Sequence, residues 1–263
     1  MIFYFSGTGN TRWLAHTLAE ALHEPIYSIA DMLRRGDNGS RLQMAPDERI
    51  GFCFPVHGWR PPFIVRQFVR NLRLQVDGAV HYTYAFATCG DDVGQTFDYL
   101  RTDLRQAGLL LDSVFSIIMP ESYIFPLVDT LDKPDVAEQK KRDAYDEFNR
   151  ILPMIEQRKV GVKDFNRSRW PWINSHLLGS FFLGHWVTDR PFRVDAERCN
   201  RCGKCAKVCP VGNIACEPGQ TPHWQHNGMC TTCFACYHHC PAHAIDFGHR
   251  TKGKRQYFFE KGN

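Results

Sequence analysis

Residues 2–11 read IFYFSGTGNT, and the order of these ten letters decides how the N-terminal half folds. Residues 2–5 are a short apolar run. Ser6, Gly7, Thr8, Gly9, Asn10 and Thr11 follow at once. From residue 10 to 22 the spacing is helical, with Trp13, Leu14, Leu18, Ala21 and Leu22 on one stripe. The order is therefore strand, tight turn, helix. Two glycines let the backbone fold closely, and hydroxyl and N–H groups at a helix start form an anion site. The turn is not a Walker loop, since no Gly-Lys-Ser/Thr follows. It is not a dinucleotide fingerprint either, because Arg12 occupies the third glycine position and no partner acid is placed. An ordinary tight turn is the alternative for such a stretch standing alone.

Working outward, strand-like and helix-like signals alternate. Residues 25–29, 49–54, 81–88 and 109–119 have strand character. Residues 62–72, 93–107 (ending at Gly108) and 134–159 have helical character. This alternation predicts βαβ units in an α/β, doubly wound, five-stranded parallel sheet of order 2-1-3-4-5, with ligands at the C-terminal edge of the strands. Residues 166–187 carry Trp170, Trp172 and Trp186. They read as a connecting helix that either docks two halves or covers a cofactor; a peripheral membrane contact over 170–187 is the less favoured reading.

The second half contains two cysteine ladders, CNRCGKCAKVCP (residues 199–210) and CTTCFACYHHCP (residues 230–241). Each has the spacing C-x2-C-x2-C-x3-C-P, the run that holds a [4Fe–4S] cluster. Zinc ribbons use two CxxC pairs and four ligands, which fits two such ladders poorly. The start, MIFYFSGTGN, lacks a basic region and a long apolar run, and no stretch of about 20 apolar residues follows. A cytoplasmic chain is expected, where disulfides are disfavoured. Of the other cysteines, Cys53 reads as core, Cys216 as a plain thiol, and Cys89 as a small residue in a strand-end loop. A net charge of +4 with no dense basic stripe argues against nucleic acid.

The ladders, with Val211, Ile214, Ala244 and Ile245 after the prolines, resemble the bacterial two-cluster ferredoxins over residues 190–250. That resemblance implies crossed ligation. One cluster would take Cys199, Cys202, Cys205 and Cys240; the other would take Cys230, Cys233, Cys236 and Cys209. The first turn, SGTGNT, resembles the flavodoxin loop that binds the phosphate of FMN. Two further strand-end loops extend the likeness: Pro55, Val56, His57, Gly58 and Trp59, and Thr88, Cys89 and Gly90. In that family these loops sandwich the flavin ring, with Trp59 or His57 as the stacking residue here. Arg60 departs from the acidic surroundings usual in flavodoxins.

Together the parts resemble the flavodoxin–ferredoxin fusion proteins of anaerobic bacteria and archaea. The resemblance implies an FMN-binding domain (1–160), a connecting segment (161–190) and an α+β two-cluster ferredoxin domain (191–263). It implies FMN and two [4Fe–4S] clusters, a redox partner protein, and an electron relay. A direct reductase of a small acceptor, with His57, Asp91 or Asp92 as proton donor, is the second expectation. A redox sensor is a weaker third.

Overall fold

The computed structural model describes residues 1–46, 48–75, 81–125 and 130–259. Its N-terminal part is a parallel sheet: β1 (Ile2–Tyr4), β2 (Ile26–Ser28), β3 (Ile50–Pro55), β4 (Thr83–Cys89), β5 (Ser113–Ile118) and β6 (Lys163–Asp164). The order is β2-β1-β3-β4-β5-β6, with all pairs parallel. The first five strands have the expected flavodoxin-like order, and the sheet is six-stranded rather than five-stranded. The extra strand pairs Lys163 and Asp164 with Val114 and Phe115. Two polar residues carry no alternation, so nothing in the sequence announces it.

The helices are α1 (Asn10–Leu22), α2 (Ile29–Arg34), α3 (Phe63–Asn71), α4 (Thr96–Gln106) and α5 (Pro134–Glu156). Residue 29, expected to end a strand, begins α2 instead. Ser28 caps it, its hydroxyl accepting from the Asp31 N–H at 3.2 Å. Strand alternation divides the core into two layers. Phe52, Phe54, Ala85 and Ala87 face the side packed by α2, α3 and α4, while Cys53, Tyr84, Phe86 and Phe115 face α1 and α5. The central strands β3, β4 and β5 are thus covered on both sides, as a parallel sheet requires.

Asp103 on α4 is fully buried and ties α4 to α3. It accepts from Arg66 at 2.6 and 3.0 Å and from Arg70 at 2.7 Å. Asp103→Ala is expected to cost about 2 kcal/mol, because the charge-assisted hydrogen bonds that tie α4 to α3 are lost while the half-buried Arg66 and the exposed Arg70 can turn to water. Denaturant unfolding of the two proteins measures it.

Beyond residue 165 the chain makes a π-type turn (Ile173–Leu178) that runs into α6 (Gly179–His185). The ladders follow, framed by an antiparallel pair, β7 (Phe192–Val194) with β10 (Ile245–Phe247). Between them lie α7 (Lys204–Val208), the pair β8 (Ile214–Ala215) with β9 (His223–Trp224), and α8 (Ala235–His238). Residues 252–259 form no strand and run back across the sheet domain; 260–263 lie outside the described residues.

Candidate functional site

The residues after β1, β3 and β4 meet at the C-terminal edge of the sheet, where the strand order reverses. They line a cavity of about 540 Å³, within the range of small-molecule and cofactor sites. Ser6, Gly7, Thr8, Asn10 and Thr11 contribute from the first loop. Pro55, Val56, His57, Gly58 and Trp59 contribute from the second, and Thr88, Cys89 and Gly90, with Asp91 and Asp92, from the third. Of the expected residues only Gly9 does not line it. Gly9 instead takes φ 102° as the N-cap of α1, and a side chain there would begin 2.8 Å from the Phe259 carbonyl oxygen.

The first loop is held by its own hydroxyls. Ser6 Oγ accepts from the Gly9 N–H at 3.2 Å, Thr8 donates to Ser122 at 3.0 Å, and Thr11 and Thr88 share a hydrogen bond of 2.7 Å. With glycine as N-cap, no side chain caps α1, its first turn holds no acid, and Arg12 sits there. The positive end of the helix therefore has no acidic side chain of its own to oppose an anion there. The loop is also clamped from far along the chain. Tyr257 donates its hydroxyl to Asn10 Oδ1 at 2.7 Å, the Phe259 N–H donates to the Thr8 carbonyl at 2.8 Å, and the Phe259 ring packs on Trp13.

The second loop is a two-residue reverse turn. Gly58 and Trp59 have φ of 56° and 58°, and His57 and Arg60 exchange backbone hydrogen bonds. Positive φ at both central positions is the signature of a type I′ turn. It is fastened by the connecting segment: Arg60 donates to the Ser175 carbonyl at 3.0 and 2.6 Å, and the Ser175 hydroxyl donates to the Trp59 carbonyl at 3.1 Å. Arg60, unexpected beside a flavin, is thus used as a structural tie. His57 keeps some surface toward the cavity but is surrounded by protein, and burial pushes it down to about 4. The fold favours the neutral ring. Between pH 6.5 and about 4 an unfolded chain takes up a proton there that the folded chain does not, so stability falls as pH falls. The cofactor-free protein is expected to lose about 2 kcal/mol from this residue between pH 7 and pH 5. Urea unfolding at both pH values should show a shallower loss for His57→Gln; equal losses would contradict the assignment.

Three further walls close the cavity, of which the sequence reading foresaw only the connecting segment. One follows β5: Met119, Pro120, Glu121, Ser122, Tyr123 and Phe125. Glu121 keeps some surface toward the cavity but is enclosed by protein, and the loss of water raises its carboxyl above the usual range. The N–H groups of Tyr123 and Ser122, at 2.8 and 3.0 Å, and the Lys140 charge oppose that rise. The doubly wound rule applies to β5 as much as to β3 and β4, and would have found this wall. The second is an aromatic cover of Leu178, Phe181, Phe182 and Trp186; Phe182 packs on Tyr123 and Trp186 on Phe125. The connecting segment therefore both docks and covers. The third wall is Thr231 and Cys233, from the second ladder. Cys233 stands directly against the first loop: a Cβ on Gly7 would lie 2.7 Å from Cys233 Cβ and 3.2 Å from its Sγ.

The two ladders repeat in backbone as well as in letters. Arg201 and Thr232 have φ of 55° and 50°, Gly203 and Phe234 have 68° and 57°, and Gly212 and His243 have 61° and 48°. Each pair occupies equivalent places, where the left-handed conformation coils the chain around a centre. Backbone N–H groups point at sulfur in the same register: Asn213 to Cys209 and Ala244 to Cys240, both at 3.3 Å. Such bonds tune an iron–sulfur centre. Burial pushes Cys205 and Cys230 up to about 12 and Cys233 to about 11, and lifts Cys236 well above its ordinary value. Other thiols add to these shifts: Cys216, Cys240 and Cys202 at Cys205, but Cys233, Cys230 and Cys209 at Cys236. Cys240 therefore lies close to Cys205, and Cys209 close to Cys236. Among the described residues no three His, Cys, Asp or Glu side chains could hold a single metal ion.

The 4Fe–4S dicluster domain family matches residues 192–241, which include all of both ladders' cysteines. Among solved structures, a flavodoxin of Streptococcus pneumonia TIGR4 is similar at 15% identity and a TM-score of 0.31, covering 57% of this chain and 96% of that one. No curated protein matches the chain. The order of the strands, rather than that overlap, gives the N-terminal part its flavodoxin-like fold.

Proposed function

We propose that this chain is a cytoplasmic electron-transfer protein that joins FMN and two [4Fe–4S] clusters and exchanges electrons with a separate oxidoreductase. Clusters and flavin together supply one-electron transfer and the storage of one or two electrons. Cys199, Cys202, Cys205 and Cys240 would hold one cluster, and Cys209, Cys230, Cys233 and Cys236 the other. The N-terminus of α1 with Ser6, Thr8 and Thr11 would take the flavin phosphate. The 57–59 turn and residues 88–90 would hold the ring, with His57 or Trp59 stacked on it.

One observation carries this reading: Cys233 lines the same cavity as the first loop and touches Gly7. A thiolate of one cluster thus borders the flavin site, with no intervening domain to cross. At the far side Cys202 is exposed, whereas Cys205, Cys209, Cys236 and Cys240 are buried. The first cluster is therefore the one a partner protein would reach. Residues 1–160, 161–190 and 191–263 would then act as flavin domain, cover and wire.

A second reading is a reductase that acts directly on a small acceptor. The observation favouring it is the aromatic cover over a cavity that also holds His57 and Glu121, groups able to hold or move a proton. Anaerobic reconstitution followed by visible spectroscopy tests the common ground. Flavin bands superimposed on broad iron–sulfur absorption are expected, and the absence of both overturns either reading. Repeated turnover of quinones or other small acceptors without any partner protein selects the second reading over the first.

A further inference from the structure

The segment that covers the cavity presents a second face outward. Trp170, Trp172, Ile173, Leu177, Leu178 and Phe181 are 40–58% exposed. Trp170, Ile173, Leu177 and Phe181 follow one another by three, four and four positions, which is the spacing of one helical face. Scattered exposed apolar side chains need no explanation, but a contiguous aromatic patch marks an interaction surface.

The patch is rigidly mounted. Ser175 and Gly179 on the opposite face are buried. Ser175 accepts from the Gln95 N–H at 2.8 Å, and Gly179 packs on the Gly58 carbonyl so closely that a Cβ would lie 2.5 Å from that oxygen. The apolar side chains are therefore held in solvent by tertiary contacts.

Charge indicates what covers them. Residues 165–188 contain no Asp or Glu, while Arg167 and Arg169 are exposed at one end, Arg169 lying over the Trp170 ring at 5.7 Å. Exposed tryptophans next to arginines in the chain, followed by leucine and phenylalanine, are the residue types that partition to a bilayer interface: headgroup, boundary and acyl chain. Among the described residues no helix is long and apolar enough to cross a membrane. We propose that the 167–181 face lies on an anionic lipid surface, with Trp170 and Trp172 at the boundary, Leu177 and Phe181 below it, and Arg167 and Arg169 on lipid phosphates. Leu178 and Phe181 belong both to this face and to the cavity, so the bound protein turns the apolar wall of its cavity toward the bilayer.

Flotation of the cofactor-loaded full chain tests this, using vesicles of phosphatidylcholine alone or mixed with phosphatidylglycerol, at low and high salt. Wild type is expected to float with the mixed vesicles and to bind phosphatidylcholine at least about tenfold more weakly. Trp170→Ser with Trp172→Ser should abolish flotation at either salt. Arg167→Gln with Arg169→Gln should remove the preference for anionic lipid and its salt dependence. Iron and flavin contents should stay at wild-type values in both variants, which shows that the fold is intact. Wild type that floats with neither vesicle overturns the proposal, as does binding unchanged in both variants. Concentration-dependent dimerisation that the tryptophan pair controls, without vesicle binding, overturns it by assigning the face to a second copy.

Discussion

Cys209→Ala is expected to leave about half the iron after anaerobic reconstitution, roughly four atoms in place of eight, and Cys236→Ala to do the same. The informative variants are the doubles. Cys209→Ala with Cys236→Ala should lose no more iron than either single change, although the residues come from different ladders. Cys205→Ala with Cys209→Ala should lose nearly all of it, although both lie in one ladder. The neighbours of each buried thiol support this: Cys209 lies near Cys236, and Cys240 near Cys205. If each ladder held a cluster of its own, the two doubles would exchange results. Iron counting on the four proteins separates these outcomes without any assay of activity.

Gly7→Val is expected to impair both cofactor sites at once. Even a Cβ at this position meets Cys233 Cβ at 2.7 Å, a separation that forces something to shift. Neither side yields easily. Thr8 and Asn10 tie the first loop to Ser122 and to the Pro120 carbonyl, and Tyr257 and Phe259 clamp it from outside. Cys233 precedes Phe234, a left-handed residue packed among Tyr123, Phe192 and Phe247. Valine should therefore weaken FMN binding by at least about tenfold, the equivalent of 1.4 kcal/mol, and also reduce iron content. Flavin fluorescence titration and iron analysis of one preparation give both numbers. Weakened flavin with full iron would show that the loop alone had moved.

Much of this was legible in the sequence. The strand–turn–helix order of residues 2–22 and the recurring apolar runs located the first five strands along the chain, because each element has its own periodicity, and their alternation with helices implied the doubly wound order. Local signals placed all but one of the expected flavin-site residues on the cavity wall. What escaped had no periodicity to offer. β6 is two polar residues held only by pairing with β5. The Glu121 wall follows a proline that reads as the end of a strand. The contact between Gly7 and Cys233 joins positions whose nearness depends on how the two halves dock. The aromatic residues of 170–186 were visible, but which of them face the cavity and which face solvent is settled by Ser175 and Gly179, two small residues whose burial no pattern announces.

The clamp on the first loop has a bearing on biosynthesis. Asn10 and its partner Tyr257 are 247 residues apart. On the ribosome the loop emerges early, and the sheet around it can fold as an N-terminal unit while the rest is still being made. The Cys233 wall beside it arrives with the second ladder, and its clamp only after both ladders have been translated. The pocket proposed for the flavin phosphate is therefore finished late, in a chain whose ladder cysteines are already available to iron. Assembly should run in that order: metal first or together with the flavin, and a nascent chain halted before residue 255 should hold its flavin loosely.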